Sequence, residues 1–249
     1  MIDVKKFKKD GFLVIENVIP KKFISLFEKE VNSIKRVLQK QIGIKNKEFE
    51  YLFGKSKFRS RIYSLMQNLS SVRDIAKYIE TYLIRQNFFK NLKFNTRSIS
   101  NGLIISLPNE MKNLNPLHQD IYAYYSNKFV KLWIPMTKVD KFHGTMQMFK
   151  GSHKLGFIEP KYKNKKSTYP IVSEKYLKHF EYEVFDLHPT SLVIFNPLIV
   201  HRGIKNVSSK VRFNIGVDIQ DINFKVNENL IAKMKKIKDK RSKRRKLLS

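Results

Sequence analysis

The sequence predicts a mainly β protein with flanking helices: an antiparallel sandwich or barrel, with the jelly roll as the leading candidate. Two observations carry this. From about residue 98 the chain breaks into short β-type runs, "GLIISL", "FVKLWIPM", "TMQMF", "EYEVFDL", "SLVIF" and "VRFNIGVDIQ", with no helical pattern between them. Turn signals separate them at Pro108-Asn109, Asn115-Pro116, His143-Gly144, Gly151-Ser152 and Asn196-Pro197.

The chain opens with a turn at Asp10-Gly11 and a short apolar strand, "FLVIE", after which Pro20 can start a helix. In that helix Phe23, Phe27, Val31, Ile34 and Leu38, with Ile24 beside them, form one apolar stripe. Residues 48–92 read as further helix, where Val72, Ile75, Ile79 and Leu83 make a second stripe and Ser70 or Ser71 supplies the cap. The final run alternates most clearly. Val211, Phe213, Ile215, Val217 and Ile219 fall on one face, and Arg212, Asn214, Gly216 and Asp218 on the other.

These elements describe one domain over residues 1–232, helical over 20–92 with its β core over about 98–221, followed by a basic and flexible tail at 233–249. The absence of cysteine removes disulfides, thiolate metal sites and thiol nucleophiles, so any metal must be held by histidine and carboxylate. No secretory h-region and no apolar run of membrane-spanning length is present, and a cytoplasmic location is the expectation.

The formal charge of +29 is unevenly spread, with ten basic residues against one aspartate in 233–249. An anionic partner would exploit it: nucleic acid, an acidic membrane surface or a phosphorylated substrate. The plainer alternative is a coding bias toward lysine on solvated faces. The tail has no interleaved aromatics, and the chain shows no helix-turn-helix or zinc-finger spacing, which argues against nucleic acid.

Within "NPLHQDIYAYY", His118 and Asp120 flank Gln119 and would point to the same face of an extended backbone. Of the six histidines, His201 follows a strand and an Asn-Pro turn, and a two-sheet fold can return it beside the first pair. Two histidines and one carboxylate with open positions opposite form the facial triad of non-haem Fe(II) oxygenases. Eleven residues on, Arg212 offers a planar guanidinium for a carboxylate held near such a metal, although an ion pair with Asp218 is the structural alternative.

Four stretches in order resemble the phytanoyl-CoA dioxygenase family of Fe(II)/2-oxoglutarate-dependent oxygenases: "FKKDGFLVIENVIP", "LHQDIYAYY", "VKLWIPMTKVDKFHGTMQMFKGSHKLG" and "HRGIKNVSSKVRF". The resemblance implies a double-stranded β-helix (jelly roll, cupin-like) core. It also implies Fe(II) on His118, Asp120 and His201, 2-oxoglutarate with its 5-carboxylate on Arg212, and O2 as the third reactant. Hydroxylation of a C–H bond with release of succinate and CO2 would follow, on a small and anionic substrate such as an acyl-CoA, phosphorylated sugar, phosphonate or lipid head group. A nucleic-acid- or membrane-associated basic protein on an oxygenase scaffold is the alternative. One departure stands out: the second residue after the distal histidine often carries a hydroxyl in the family, where it can bind the far carboxylate of the co-substrate, and here it is Gly203. Gln119 and Trp133 are further candidates to touch the co-substrate, and Tyr122, ahead of Tyr124 and Tyr125, to touch substrate. His143, His153 and His188 are expected to be structural.

Overall fold

The computed structural model describes residues 2–42, 56–110, 114–123, 128–162, 170–225 and 228–248. A first helix, α1 (Val4–Asp10), ends at Gly11, whose φ of 85° and N–H hydrogen bond to the Phe7 carbonyl close the turn into β1 (Phe12–Ile15). The close approach of His153 reinforces that need, since a Cβ at Gly11 would lie 2.4 Å from its ring. Three longer helices follow, α2 (Lys21–Ile42), α3 (Ser56–Gln67) and α4 (Ser70–Arg85), then the short α5 (Phe88–Leu92).

The β core comprises β2 (Thr96–Ser106), β3 (Phe129–Pro135), β4 (Met146–Phe149), β5 (Lys161–Tyr162), β6 (Pro170–Ile171), β7 (Tyr182–Val184), β8 (Leu192–Phe195), β9 (His201–Gly203) and β10 (Arg212–Asp221). A five-stranded sheet in the order β1-β8-β3-β10-β2 faces a three-stranded sheet, β7-β4-β9, and the strands within each pair antiparallel. This is the jelly roll. The sequence reading finds the runs that become β2, β3, β4, β7, β8 and β10 but not β5, β6 or β9, whose two or three residues lie in no longer β-type run.

Alternation along β3 and β10 sorts residues into two layers. Ile215, Val217 and Ile219 pair with Ile134, Leu132 and Val130, and all six sit in the large core beneath the helices. The helix stripes meet them there, with Phe27, Val72, Ile75, Ile79 and Leu83 buried. Each such side chain contributes roughly 1.5–3 kcal/mol of hydrophobic stabilisation. The opposite layer carries Lys131 and Trp133 of β3 against Asp218 and Gly216 of β10, and looks toward the smaller sheet. One strand pair thus anchors the core with one face and furnishes the cavity with the other.

Two local expectations change. Neither Ser70 nor Ser71 caps α4 from its own helix; both donate their amides and hydroxyls to the Glu30 carboxylate of α2, which thereby ties the two helices together. The segment 233–249, expected as a flexible tail, lies largely within α6 (Glu228–Leu248), where Met234 is fully buried. Its lysines, arginines and leucines are good helix formers, and Lys233, Lys240 and Arg244 lie over the rings of Phe157 and Tyr162. No helix among the described residues is long and apolar enough to cross a membrane.

Removing the Glu30 clamp, by Glu30→Ala, is expected to lower the unfolding free energy by about 1 kcal/mol in urea at pH 7. Burial alone would raise this carboxyl's pKa, but the Ser70 and Ser71 hydrogen bonds outweigh it and hold the group below 4.5. The clamp's contribution is therefore full above pH 4.5 and lost as pH falls through the lowered value, so the wild type and the variant should converge in acid.

Candidate active site

His118 and His201 are brought together by the backbone. Each donates its amide to the other's carbonyl, at 2.9 and 3.0 Å, forming an isolated antiparallel bridge that sets the imidazoles 4.2 Å apart between ring centroids. Asp120 follows in the first position of a 3-10 turn, residues Asp120–Ala123, rather than in a continuing strand. Its oxygens lie 3.2 Å from His118 Nε2 and 3.8 Å from His201 Nε2. One ligand atom from each of the three residues falls within 4.8 Å of the others, a spacing that could hold a metal ion.

The histidines are oriented for such a role. His118 Nδ1 lies 2.7 Å from the Pro116 carbonyl and His201 Nδ1 3.2 Å from that of Ile199. A proton on each Nδ1 satisfies these carbonyls and leaves each Nε2 lone pair directed at Asp120. Burial, followed by the neighbouring His118, pulls the His201 pKa down to about 4, so its imidazole is neutral at physiological pH. Burial works the other way on Asp120, but Lys131, His201 and His118 outweigh it and hold the carboxyl ionised.

Lys131 is a participant the sequence reading overlooked. Its Nζ lies 2.7 Å from Asp218 Oδ1, directly opposite across β3 and β10, and 3.5 Å from Asp120 Oδ2. A lone lysine two positions from Trp133 in an apolar strand was the available signal. Because Lys131 pairs with Asp218, the alternative of an Arg212–Asp218 ion pair falls away.

Arg212 is buried on the same layer. Nη1 donates to the Gly144 carbonyl, and the guanidinium carbon lies 5.7 Å from the centroid of the Trp133 ring. With its amide oxygen turned toward them, Asn214 accepts from Arg212 Nη2 and Trp133 Nε1, both at 3.1 Å. Nε has no partner among the described residues. Burial lowers the pKa only to about 10, so the group stays cationic at neutral pH.

A cavity of about 220 Å³ joins these groups, lined by His118, Asp120, His201, Lys131, Trp133 and Arg212 among others. Two candidates turn away from it. Gln119 points opposite to its neighbours, donating to the carbonyls of Gly156 and Leu198 and accepting from Ile158 N, which makes it a fully buried tie between loops. Tyr122 donates its hydroxyl to the Ile158 carbonyl at 2.7 Å and packs on Phe157. Neither lines the cavity, so their expected contacts with co-substrate and substrate are not supported. Tyr124 and Tyr125 lie outside the described residues. His153 contacts the Lys8 carbonyl and His143 the Asp140 carboxylate, in keeping with structural roles.

The family model for phytanoyl-CoA dioxygenase (PhyH) matches residues 7–214. The chain belongs to the phytanoyl-CoA dioxygenase family. Its relatives include the peroxisomal phytanoyl-CoA dioxygenase of Bos taurus, 25% identical over 230 residues that span 88% of this chain and 68% of that protein. Among solved structures, the non-haem monooxygenase ThoJ aligns over 96% of both chains at 14% identity and a TM-score of 0.57. The epimerase SnoN, solved with Fe3+, α-ketoglutarate and nogalamycin RO, aligns over 87% of this chain and 81% of its own, at 13% identity and a TM-score of 0.52. Membership makes this chain a 2-oxoglutarate-dependent dioxygenase that uses Fe(II), 2-oxoglutarate and O2 and acts on a small-molecule substrate.

Lys131→Met should show how the site balances its charges. Loss of the ammonium leaves two largely buried carboxylates without it, and stability should fall by about 3 kcal/mol. Added Co(II), which supplies positive charge at Asp120, should then raise the variant's melting temperature more than the wild type's. An equal rise in both would contradict this charge balance.

Proposed function

We propose that the chain hydroxylates an unactivated C–H bond of a small anionic organic substrate, with His118, Asp120 and His201 holding Fe(II) and Arg212 receiving the 5-carboxylate of 2-oxoglutarate. The observation that carries the metal assignment is the convergence of two Nε2 atoms and one carboxylate in a cavity that Arg212 also lines. The residues fit the cofactor and co-substrate. Two imidazoles and one carboxylate with donor atoms within 4.8 Å of one another are the donor set of the facial triad, which would leave the other positions on the metal for co-substrate and O2. The Arg212 cation with its unpartnered Nε has the charge and donor capacity for a carboxylate.

When bound, Fe(II) would supply the activation of O2, which is the oxidant, while 2-oxoglutarate gives two electrons in its decarboxylation to succinate and CO2; one oxygen atom would go to succinate and the other to the substrate's C–H bond. The chain's own part is to bind, orient and exclude water. Trp133 and Asn214 fix the guanidinium plane, and Phe195 packs against His201 at 5.3 Å between centroids, keeping that ring in place.

Charge supports the anionic substrate. The basic helix α6 packs against the turn that carries Asp120. An acyl-CoA, phosphorylated sugar, phosphonate or lipid head group would answer that field.

The expected test result is iron-dependent conversion of 2-oxoglutarate to succinate, stimulated by one member of such a panel, with a product 16 Da heavier by mass spectrometry. Deleting 233–249 should raise KM for that substrate at low salt and leave it little changed at high salt. Stimulation by neutral compounds alone, or equal KM values at low salt, would contradict the anionic reading. A product of unchanged or reduced mass would replace hydroxylation by epimerisation or desaturation.

A further inference from the structure

The Arg212 end of the cavity contains a polar atom with no use in the fold. Thr145 lies in the cavity wall, is fully buried, and its hydroxyl has no hydrogen-bond partner among the described residues. Leaving a buried hydroxyl unsatisfied costs about 1–3 kcal/mol, so such an atom calls for a partner that arrives later. Its neighbours say which one. Thr145 directly follows Gly144, whose carbonyl accepts Arg212 Nη1, and its own carbonyl accepts from Ile204 N at 2.7 Å. Gly144 has a φ of 77° and a Cβ there would lie 2.9 Å from Asn206, so the chain is held tightly at this corner. On the facing strand, Gly203 pairs with Met146 and presents no side chain to the same cavity. Arg212 Nε and Thr145 Oγ1 are thus two unpartnered buried polar atoms on adjoining walls.

We infer that the Thr145 hydroxyl is a second donor to the 5-carboxylate of 2-oxoglutarate, working beside Arg212 and supplying from β4's side the hydrogen bond that Gly203 cannot make. This rests on Arg212 being the carboxylate anchor. Thr145 is a co-substrate-binding residue and takes no part in bond cleavage.

The experiment is anaerobic titration of the Fe(II)-loaded protein with 2-oxoglutarate, following the visible metal-to-ligand charge-transfer band of the chelated keto acid. A parallel titration uses 2-oxobutanoate, which chelates in the same way but lacks the far carboxylate. Thr145→Val should weaken 2-oxoglutarate by roughly 10- to 100-fold, and leave 2-oxobutanoate and Fe(II) affinity unchanged. Thr145→Ser should stay within about threefold of the wild type, because the hydroxyl is kept. In Thr145→Val/Gly203→Ser part of the affinity should return. The new Cβ meets only Leu114 Cδ1 closely, at 3.1 Å, and the end of a leucine side chain can move.

If Arg212→Ala weakens 2-oxoglutarate while Thr145→Val does not, the Thr145 inference is overturned and the anchor stands. If Arg212→Ala has no effect, the anchor itself is wrong and the inference falls with it. Equal losses for Thr145→Val and Thr145→Ser, or equal losses for both keto acids, would also overturn it, since packing rather than the hydroxyl would be responsible.

Discussion

The site depends on the two amide-to-carbonyl hydrogen bonds exchanged by His118 and His201. These residues are far apart in sequence and belong to no common extended ladder, yet the bridge sets their separation before any ion arrives. Backbone pairing is short-ranged and directional, which makes it a stricter positioner than side-chain packing. Everything else in the site is arranged around that pair: Asp120 by the turn that follows, the ring orientations by Pro116 and Ile199, and the entrance of β9 by its contact with β4.

A second constraint is electrostatic. Burying carboxylates and cations in one layer of a β fold is costly unless each meets an opposite charge or a full set of hydrogen bonds. The larger sheet meets the requirement by register. Lys131 and Asp218 stand opposite each other, Arg212 stacks on Trp133, and Asn214 ties the two together, while the reverse face of the same strands is entirely apolar against the helices. The polar layer is therefore supported by the core behind it, and the helices serve the chemistry indirectly by fixing β3 and β10.

Much of this could be read before the structure. The β runs, the helix stripes and the Arg212 face were legible because they repeat with periods of about 2 or 3.6 residues, and the triad was legible because few residue types can ligate iron in a chain without cysteine. What remained hidden has no period. Three-residue β9, the bridge and the Glu30 clamp arise from contacts between distant segments. Gln119 and Tyr122 looked available because proximity in sequence to the H-x-D motif was taken for proximity to the cavity, whereas alternation sends Gln119 to the opposite side. Thr145 gave no signal at all, since its meaning lies in which strand it faces. The basic end of the chain reads as a loose tail because it is terminal and low in complexity, although its composition also suits the helix it forms.

The central claim is that iron is held on one side by two imidazoles and one carboxylate. Iron K-edge X-ray absorption on the anaerobic Fe(II) protein counts those imidazoles directly, through the scattering of their outer ring atoms. Two are predicted for the wild type and for Arg212→Ala, and no more than one for whatever iron His201→Ala retains. An unchanged count in His201→Ala, or a wild type with no imidazole on the metal, would contradict the account.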